Sequence, residues 1–549
     1  MSIKNPGKKP ENNMKLWLII GFIFLFEIFS FYGFLLPNFR NAAFFIIAIL
    51  VLILSLIRLE YGIYVLLAEL FIGSQGYLFY YEIDGFKISI RITLWLIVIG
   101  AWLIHVFKLY ENHRYIPNIF KKKIRVKFFE KIRDKLNNFV EIPLDKRQNK
   151  TKFINNNNKA LPCFYFLKSD FFPYYLALFI FVTWGVINGF LNQNSFNNIF
   201  FDINGWLYFL LIFPVYAAFD KKEFDLYVIY KIFLASIIWL SIKTFFLLFI
   251  FSHNMTSIIS EVYKWVRVTG VGEITQMNDS FYRIFFQSHI YILIGFFIFL
   301  TLASKNSRFK IQNLSIMCCL LSVILISFSR SFWVGLIVGI FLYFCFIVWS
   351  QGFKKLIHAF GLLLITFILS ACLIVGIVKF PYPSPFGNFN AAQIFGERAT
   401  KITGEAAVSS RWELLPKLGE QILKNPFLGQ GFGATVTYKT SDPRVLESNA
   451  TGYYTAYAFE WGWLDVWLKI GLFGFLAYLF LIGKILKSGF ELLEKSKYIK
   501  TFHCNVSIIG LLIGLVVIMC VNVFTPYLNH PLGIGYLILV SVIVDKLKN

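Results

Sequence analysis

The sequence is short of charge. Asp, Glu, Lys and Arg make up 15% of its 549 residues, against about a quarter in a soluble globular chain. Acidic residues are the scarcer kind, 30 against 53 Lys and Arg, which leaves a net charge of +23. Cysteine is scarce too. There are seven, none of them in a CxxC pair, so no disulfide and no metal–thiolate site is expected. HExxH and DxD motifs are missing from the segments assigned below to the outer side, so no catalytic metal is expected and no cofactor is implied. The short alternating strands of a membrane barrel are lacking, and so is any strict internal repeat. A soluble enzyme and a disordered chain are excluded by what is present. The apolar set from Ala to Cys reaches 57%, Phe alone occurs 65 times and mean hydropathy is +0.65.

That apolar content lies in runs of about 17–25 residues, the length that carries a helix across a hydrocarbon core. Fourteen spans are expected, near 16–36, 41–57, 61–80, 88–107, 172–190, 200–219, 227–252, 284–303, 312–328, 331–350, 356–380, 464–483, 504–523 and 529–544. The expected fold class is all-α: a polytopic membrane protein with one large, partly helical extracytoplasmic loop. No cleavable leader is expected, because 16–36 is long enough to span and no small-residue cleavage site follows. With both termini cytoplasmic, the inner segments hold 35 Lys and Arg and the outer segments 13. The positive-inside rule therefore sets the orientation, and the net charge reads as topology rather than as affinity for nucleic acid.

The chain divides into an N-terminal four-helix membrane segment (1–107), a basic cytoplasmic loop (108–171), a central membrane segment (172–380), a large extracytoplasmic loop (381–463) and a C-terminal three-helix segment (464–549). The basic loop carries KKKIRVK at 121–127 and an asparagine run at 155–158. It reads as a segment facing anionic lipid. The outer loop has balanced charge, aromatics and glycine clusters, which predicts that it folds.

Within the outer loop, Ser410 and Glu413 stand at capping-box spacing and predict a helix start. Trp412, Leu415, Leu418, Ile422 and Leu423 mark an apolar stripe, Pro416 predicts a kink in the first turns or the start of a second segment, and Asn425-Pro426 predicts the end. Gly429, Gly431 and Gly433 follow. No strand precedes them, so a dinucleotide cradle is not expected. A tight turn that lets backbone approach backbone is.

Several charged residues ask for a reason. Arg411 opens the loop helix, and a planar guanidinium suits a diphosphate because it donates in a bidentate fork and stays ionised. Arg330 sits in Ser329-Arg330-Ser331, between two spans on the positive-poor side, where arginine is disfavoured. Arg267 and Arg283 lie on that same side. Together the four suggest an anion site, against the plainer reading of snorkelling helix-end anchors. Glu460, between Phe459 and Trp461, and Asp465 one turn on, are candidates for a general base, or for helix-start carboxylates favoured by the dipole. His289 reads as a core histidine, and His530 as a possible substrate contact. Glu27, Glu69, Asp202 and Lys243 lie within or beside spans, where ionisable groups are functional candidates by default. They favour a transporter.

The chain resembles the O-antigen ligase/O-antigen polymerase-like membrane proteins through four pieces in order: RVTGVGE at 267–273, SRSFWVGL at 329–336, RWELLPKLGEQILKNPFLGQGFG at 411–433 and EWGWLDVWLKIGLFG at 460–474. The resemblance implies a membrane glycosyltransferase facing the cell exterior or periplasm. It would take a polyprenyl-diphosphate-linked glycan as donor and a hydroxyl of a glycan, lipid or protein as acceptor, without nucleotide-sugar, metal or nucleic acid. The family's arginines map onto Arg411 and Arg330, which would hold the diphosphate with Arg267 and Arg283. Ligases of the family typically carry histidine where this chain has Glu460, so Glu460 would either replace it as base or mark a polymerase or a different acceptor. Membrane lipids and polysaccharide-assembly proteins are the other expected partners. The alternative is a flippase or transporter of lipid-linked oligosaccharide, and a third is an assembly partner that docks through the basic loop.

Overall fold

The structure is a computed structural model and describes residues 11–113, 166–219, 226–253, 255–278, 281–305, 311–385, 396, 406–496 and 508–548. The KKKIRVK and asparagine runs of the basic loop lie outside the described residues.

Helices dominate. Among the described residues nine are long and apolar enough to cross a membrane. In chain order the helices that build the bundle are α1 (Glu11–Leu35), α2 (Pro37–Ile57), α3 (Leu59–Ile72), α4 (Ile90–His113), α5 (Phe172–Leu191), α6 (Phe196–Trp206) continued through a 3-10 turn into α7 (Ile212–Phe219), and α8 (Leu226–Ser252). The short α9 (Thr256–Val268) precedes α10 (His289–Lys305), α11 (Ile311–Ile326), α12 (Arg330–Gln351) and α13 (Lys354–Val378). The 381–463 segment contributes α14 (Ala406–Lys424) and α15 (Pro443–Ser448), and α16 (Gly462–Ser496), α17 (Ile508–Val521) and α18 (Pro531–Lys548) complete the bundle. Each expected span overlaps one of these helical stretches, but several are shorter than drawn. The third ends at Ile72 and the eighth begins at His289.

The missing turns went to β-structure that the apolar runs concealed. Three antiparallel hairpins, β1–β2 (Tyr80–Ile83, Phe86–Ser89), β3–β4 (Gly272–Asn278, Phe281–Phe286) and β5–β6 (Val436–Lys439, Tyr453–Ala456), lie between helices. Phe281–Phe286 reads as the start of a span because four of its six residues are aromatic, yet it is a strand that pairs Arg283 with Thr275, with Phe281, Ile284 and Phe286 buried. Hydrogen bonds tie the hairpin regions to one end of the bundle. Ser74 and Ser288 hydroxyls meet at 3.1 Å, and the Tyr527 hydroxyl donates to the Gln287 carbonyl at 3.0 Å.

Among the described residues, four charges buried between helices form two pairs. Lys243 on α8 meets Glu27 on α1 at 2.7 Å, and Arg91 on α4 meets Glu69 on α3 at 2.8 Å. A buried charge is tolerated only with its counter-charge, so these pairs account for ionisable residues that otherwise point to transport. His289 is fully buried, its Nε2 within 3.0 Å of the Thr244 hydroxyl, in keeping with a core role.

Candidate functional site

The outer-loop helix does not start as the sequence suggested. α14 begins at Ala406, four residues before Ser410. Ser410 and Glu413 do not form a capping box. The Ser410 hydroxyl meets the Tyr438 hydroxyl at 2.9 Å, and the Glu413 carboxylate accepts from the Ser441 hydroxyl (2.8 Å) and backbone N–H (3.1 Å). Both side chains fasten α14 to the β5–β6 hairpin. The helix runs through Pro416 and stops at Lys424, as Asn425-Pro426 requires. Leu414, Leu418 and Ile422 face a small core with Val436, Tyr438 and Trp461, whereas Leu423 is exposed and Trp412 only borders that core.

This core fixes Arg411. The Trp461 indole N–H donates to the Arg411 carbonyl at 3.0 Å, and Trp412 and Trp461 rings meet edge to face at 5.4 Å. Glu460, beside Trp461, forms an ion pair with Arg411 through Nε. Arg330 begins α12 after a turn in which Phe328 takes a left-handed φ of 47°. The carbonyl of Ser327 in that turn accepts from Arg283 Nε at 2.9 Å. Arg283 also meets Glu273 across its own hairpin at 3.3 Å, and Glu273 is shared with Arg267 at 3.6 Å.

Electrostatics joins these pieces. Burial, and then repulsion from Arg283 and Arg330, holds Arg411 below the usual guanidinium range, with Glu273 opposing. Burial does the same to Arg283, opposed by Glu273 and aided to a lesser degree by Arg330. Residues more than a hundred positions apart thus share one field, that of Arg283, Arg330, Arg411 and Glu273, and ion pairs join Arg267 and Glu460 to it. Sequence reading gave Glu273 no role. Its position opposite the strand that carries Arg283 was the missing signal, and it needed the hairpin.

Asp465 and His530 fall elsewhere. Asp465 is buried, bonded by Lys469 at 2.7 Å and by the Asn529 amide at 2.5 Å, and Lys469 also meets Asp202 at 2.7 Å. Asp202 in turn accepts from the Gly433 N–H at 2.7 Å. This network sits under the glycine loop, which is the backbone-on-backbone turn expected of it. Gly429, Gly431 and Gly433 have φ of 78°, 80° and 78°. α16 breaks at Gly471 (φ 71°), and the loop N–H groups of Gln430 and Gly431 donate to the Leu468 and Lys469 carbonyls at 2.6 and 3.1 Å. Non-helical backbone at membrane depth survives where protein satisfies it in this way. His530 precedes α18 and faces the charge of Arg91.

The architecture is that of a multi-pass helical membrane protein whose interhelical segments gather an arginine cluster at one end. A family model described as O-antigen ligase matches residues 314–479, a stretch that holds Arg330, Arg411 and Glu460. Over that stretch, less than half of its length, the chain is similar to the O-antigen ligases. No curated protein and no solved structure matches the chain.

Proposed function

We propose that the arginine cluster receives the diphosphate of a polyprenyl-linked oligosaccharide at the outer face of the cytoplasmic membrane, and that the protein transfers the glycan to an acceptor hydroxyl, as ligase or polymerase. One observation carries this reading: Arg411 is buried within the repelling fields of Arg283 and Arg330, and Glu460 and Glu273 are ion-paired to the same cluster. Such a site is improved by an anion, and a diphosphate diester is a dianion that guanidinium forks bind well.

In the transfer, the acceptor oxygen bonds to the anomeric carbon as that carbon's bond to the diphosphate oxygen breaks. The electron pair leaves on polyprenyl diphosphate, where Arg411 and Arg330, helped by Arg283 and Arg267, offset the growing charge. Glu460 holds Arg411 before substrate arrives. Once the diphosphate engages Arg411, the carboxylate is freed to take the acceptor proton. Asp465 holds the broken half of α16 rather than touching the sugar.

The test is direct. Purified protein given a lipid-linked oligosaccharide and an acceptor should form a new glycosidic bond and release polyprenyl diphosphate. Flipping of the donor without bond formation would favour transport and end this reading. Glu460→Gln should bind donor normally and lose about 100-fold in kcat, the lower range for a general base, and Glu460→His should recover part of it. Full activity in Glu460→Gln would remove the base.

A further inference from the structure

α14 has three faces, and the third is unexplained by the site. One face, with Leu414, Leu418 and Ile422, is buried against the loop core. A second carries Glu413, Lys417, Glu420 and Lys424; Glu413 bonds Ser441, and Lys417 pairs with Glu420 at 2.9 Å. The third carries Trp412, Pro416, Gly419 and Leu423, which recur at the helical period. It is apolar and open: Trp412 is 49% and Leu423 75% exposed. A helix in water has no reason to turn such a stripe outward beside a charged one, since exposed apolar patches mark an interaction surface.

The stripe has a physical continuation. Past the helix end, Phe427 (55%) and Leu428 (42%) are exposed. Phe427 stacks at 5.7 Å on Phe473, itself 47% exposed, on the part of α16 that runs into the membrane. Exposed apolar residues therefore follow the end of α14 and reach, through Phe427, the flank of a membrane span. The Lys and Glu face, one residue on at each step, is offset from it by about 100° around the helix, which matches an interfacial helix lying in the membrane plane.

We propose that α14 lies in the outer-leaflet interface, with its Trp412–Leu423 stripe in contact with lipid acyl chains. Arg411, beside that stripe, is thereby held at headgroup depth, and a lipid diphosphate reaches it by sideways diffusion within the leaflet. This last step rests on the proposed function; the lipid contact does not.

The test separates the two. Single cysteines carrying a nitroxide are placed by Gly419→Cys, Leu423→Cys, Lys417→Cys and Glu420→Cys in protein whose native cysteines are replaced, reconstituted in phosphatidylglycerol and phosphatidylethanolamine vesicles. All four positions are exposed or have open space around the added group. Positions 419 and 423 should collide more with oxygen than with a water-soluble nickel chelate, and 417 and 420 the reverse. Nickel preference at 419 and 423 would overturn the lipid contact. Exclusion of both probes there would also overturn it, by showing a second copy on the stripe. Leu423→Asp should lower glycan transfer several-fold, while Lys424→Asp leaves it unchanged. If 419 and 423 lie in lipid but Leu423→Asp transfers at the wild-type rate, the contact stands and the lateral route to Arg411 falls.

Discussion

Arg411→Ala and Arg330→Ala are each expected to lower kcat/KM for glycan transfer by about 10²–10³, the loss typical of removing one donor from a developing oxyanion. Both variants should still insert and purify as folded protein. The reason lies in the balance of charge. Arg411 is crowded by Arg283 and Arg330, so removing it relieves repulsion in the empty site, and the Glu460 it leaves behind is half-exposed and readily hydrated. The apo protein should therefore melt no lower than wild type, or slightly higher, a trade of stability for function seen where sites are strained. Pyrophosphate supplies the complementary readout: it should raise the melting temperature of wild-type protein by mass action and do so less in either variant. Arg411→Lys keeps the charge but loses the fork, so it should fall between. Wild-type glycan output from both alanine variants would dismantle the site, whatever their melting temperatures.

How much of this was legible in the sequence depends on what carried the signal. The membrane helices were written in long apolar runs, and Arg330 stood out because it occupies a turn on the positive-poor side. The hairpins hid in the same runs. β1–β2 had left a trace in Asp84-Gly85, whose φ of 46° and 80° are those that a tight primed turn demands, but the aromatic run before it read as the end of a span. Ser410 and Glu413 had the right spacing for a capping box and the wrong partners, because local spacing says nothing of a hairpin arriving from thirty residues away. Convergence of Arg267, Arg283, Arg330 and Arg411 was suggested by topology, whereas the carboxylates that balance them, Glu273 and Glu460, were placed by strand register and by the Trp461 contact. Pairing of that kind has no one-dimensional signature.

The glycine loop gives the second large effect. Gly431→Ala should destabilise the protein by about 3 kcal/mol or more, from left-handed strain of about 1–2 kcal/mol and overpacking of about 1–3 kcal/mol. At φ 80° an added Cβ would collide with the backbone N and Cα of Gly189 on α5, and neither chain can yield. The loop N–H groups are committed to Leu468, Lys469, Gly185 and Asp202. Its carbonyls are committed as well, to donors that reading by motif passed over: Trp184 to Leu428 (3.0 Å), Asn188 to Gly429 (2.8 Å), Asn192 to Gln430 (3.0 Å) and Asn194 to Phe432 (2.8 Å). A shift of the loop would break several of these bonds at once. The same shift would move the N-terminal half of α16, and with it Glu460 against Arg411, so activity should fall with stability. Gly419→Ala and Gly483→Ala are the controls, since a Cβ at either meets nothing within 4 Å. Thermal unfolding in detergent, followed by the loss of the monodisperse peak, should separate Gly431→Ala from both. Equal melting of all three would mean that the loop does not pack on α5 as described, and the arrangement of Arg411 and Glu460 would lose its support.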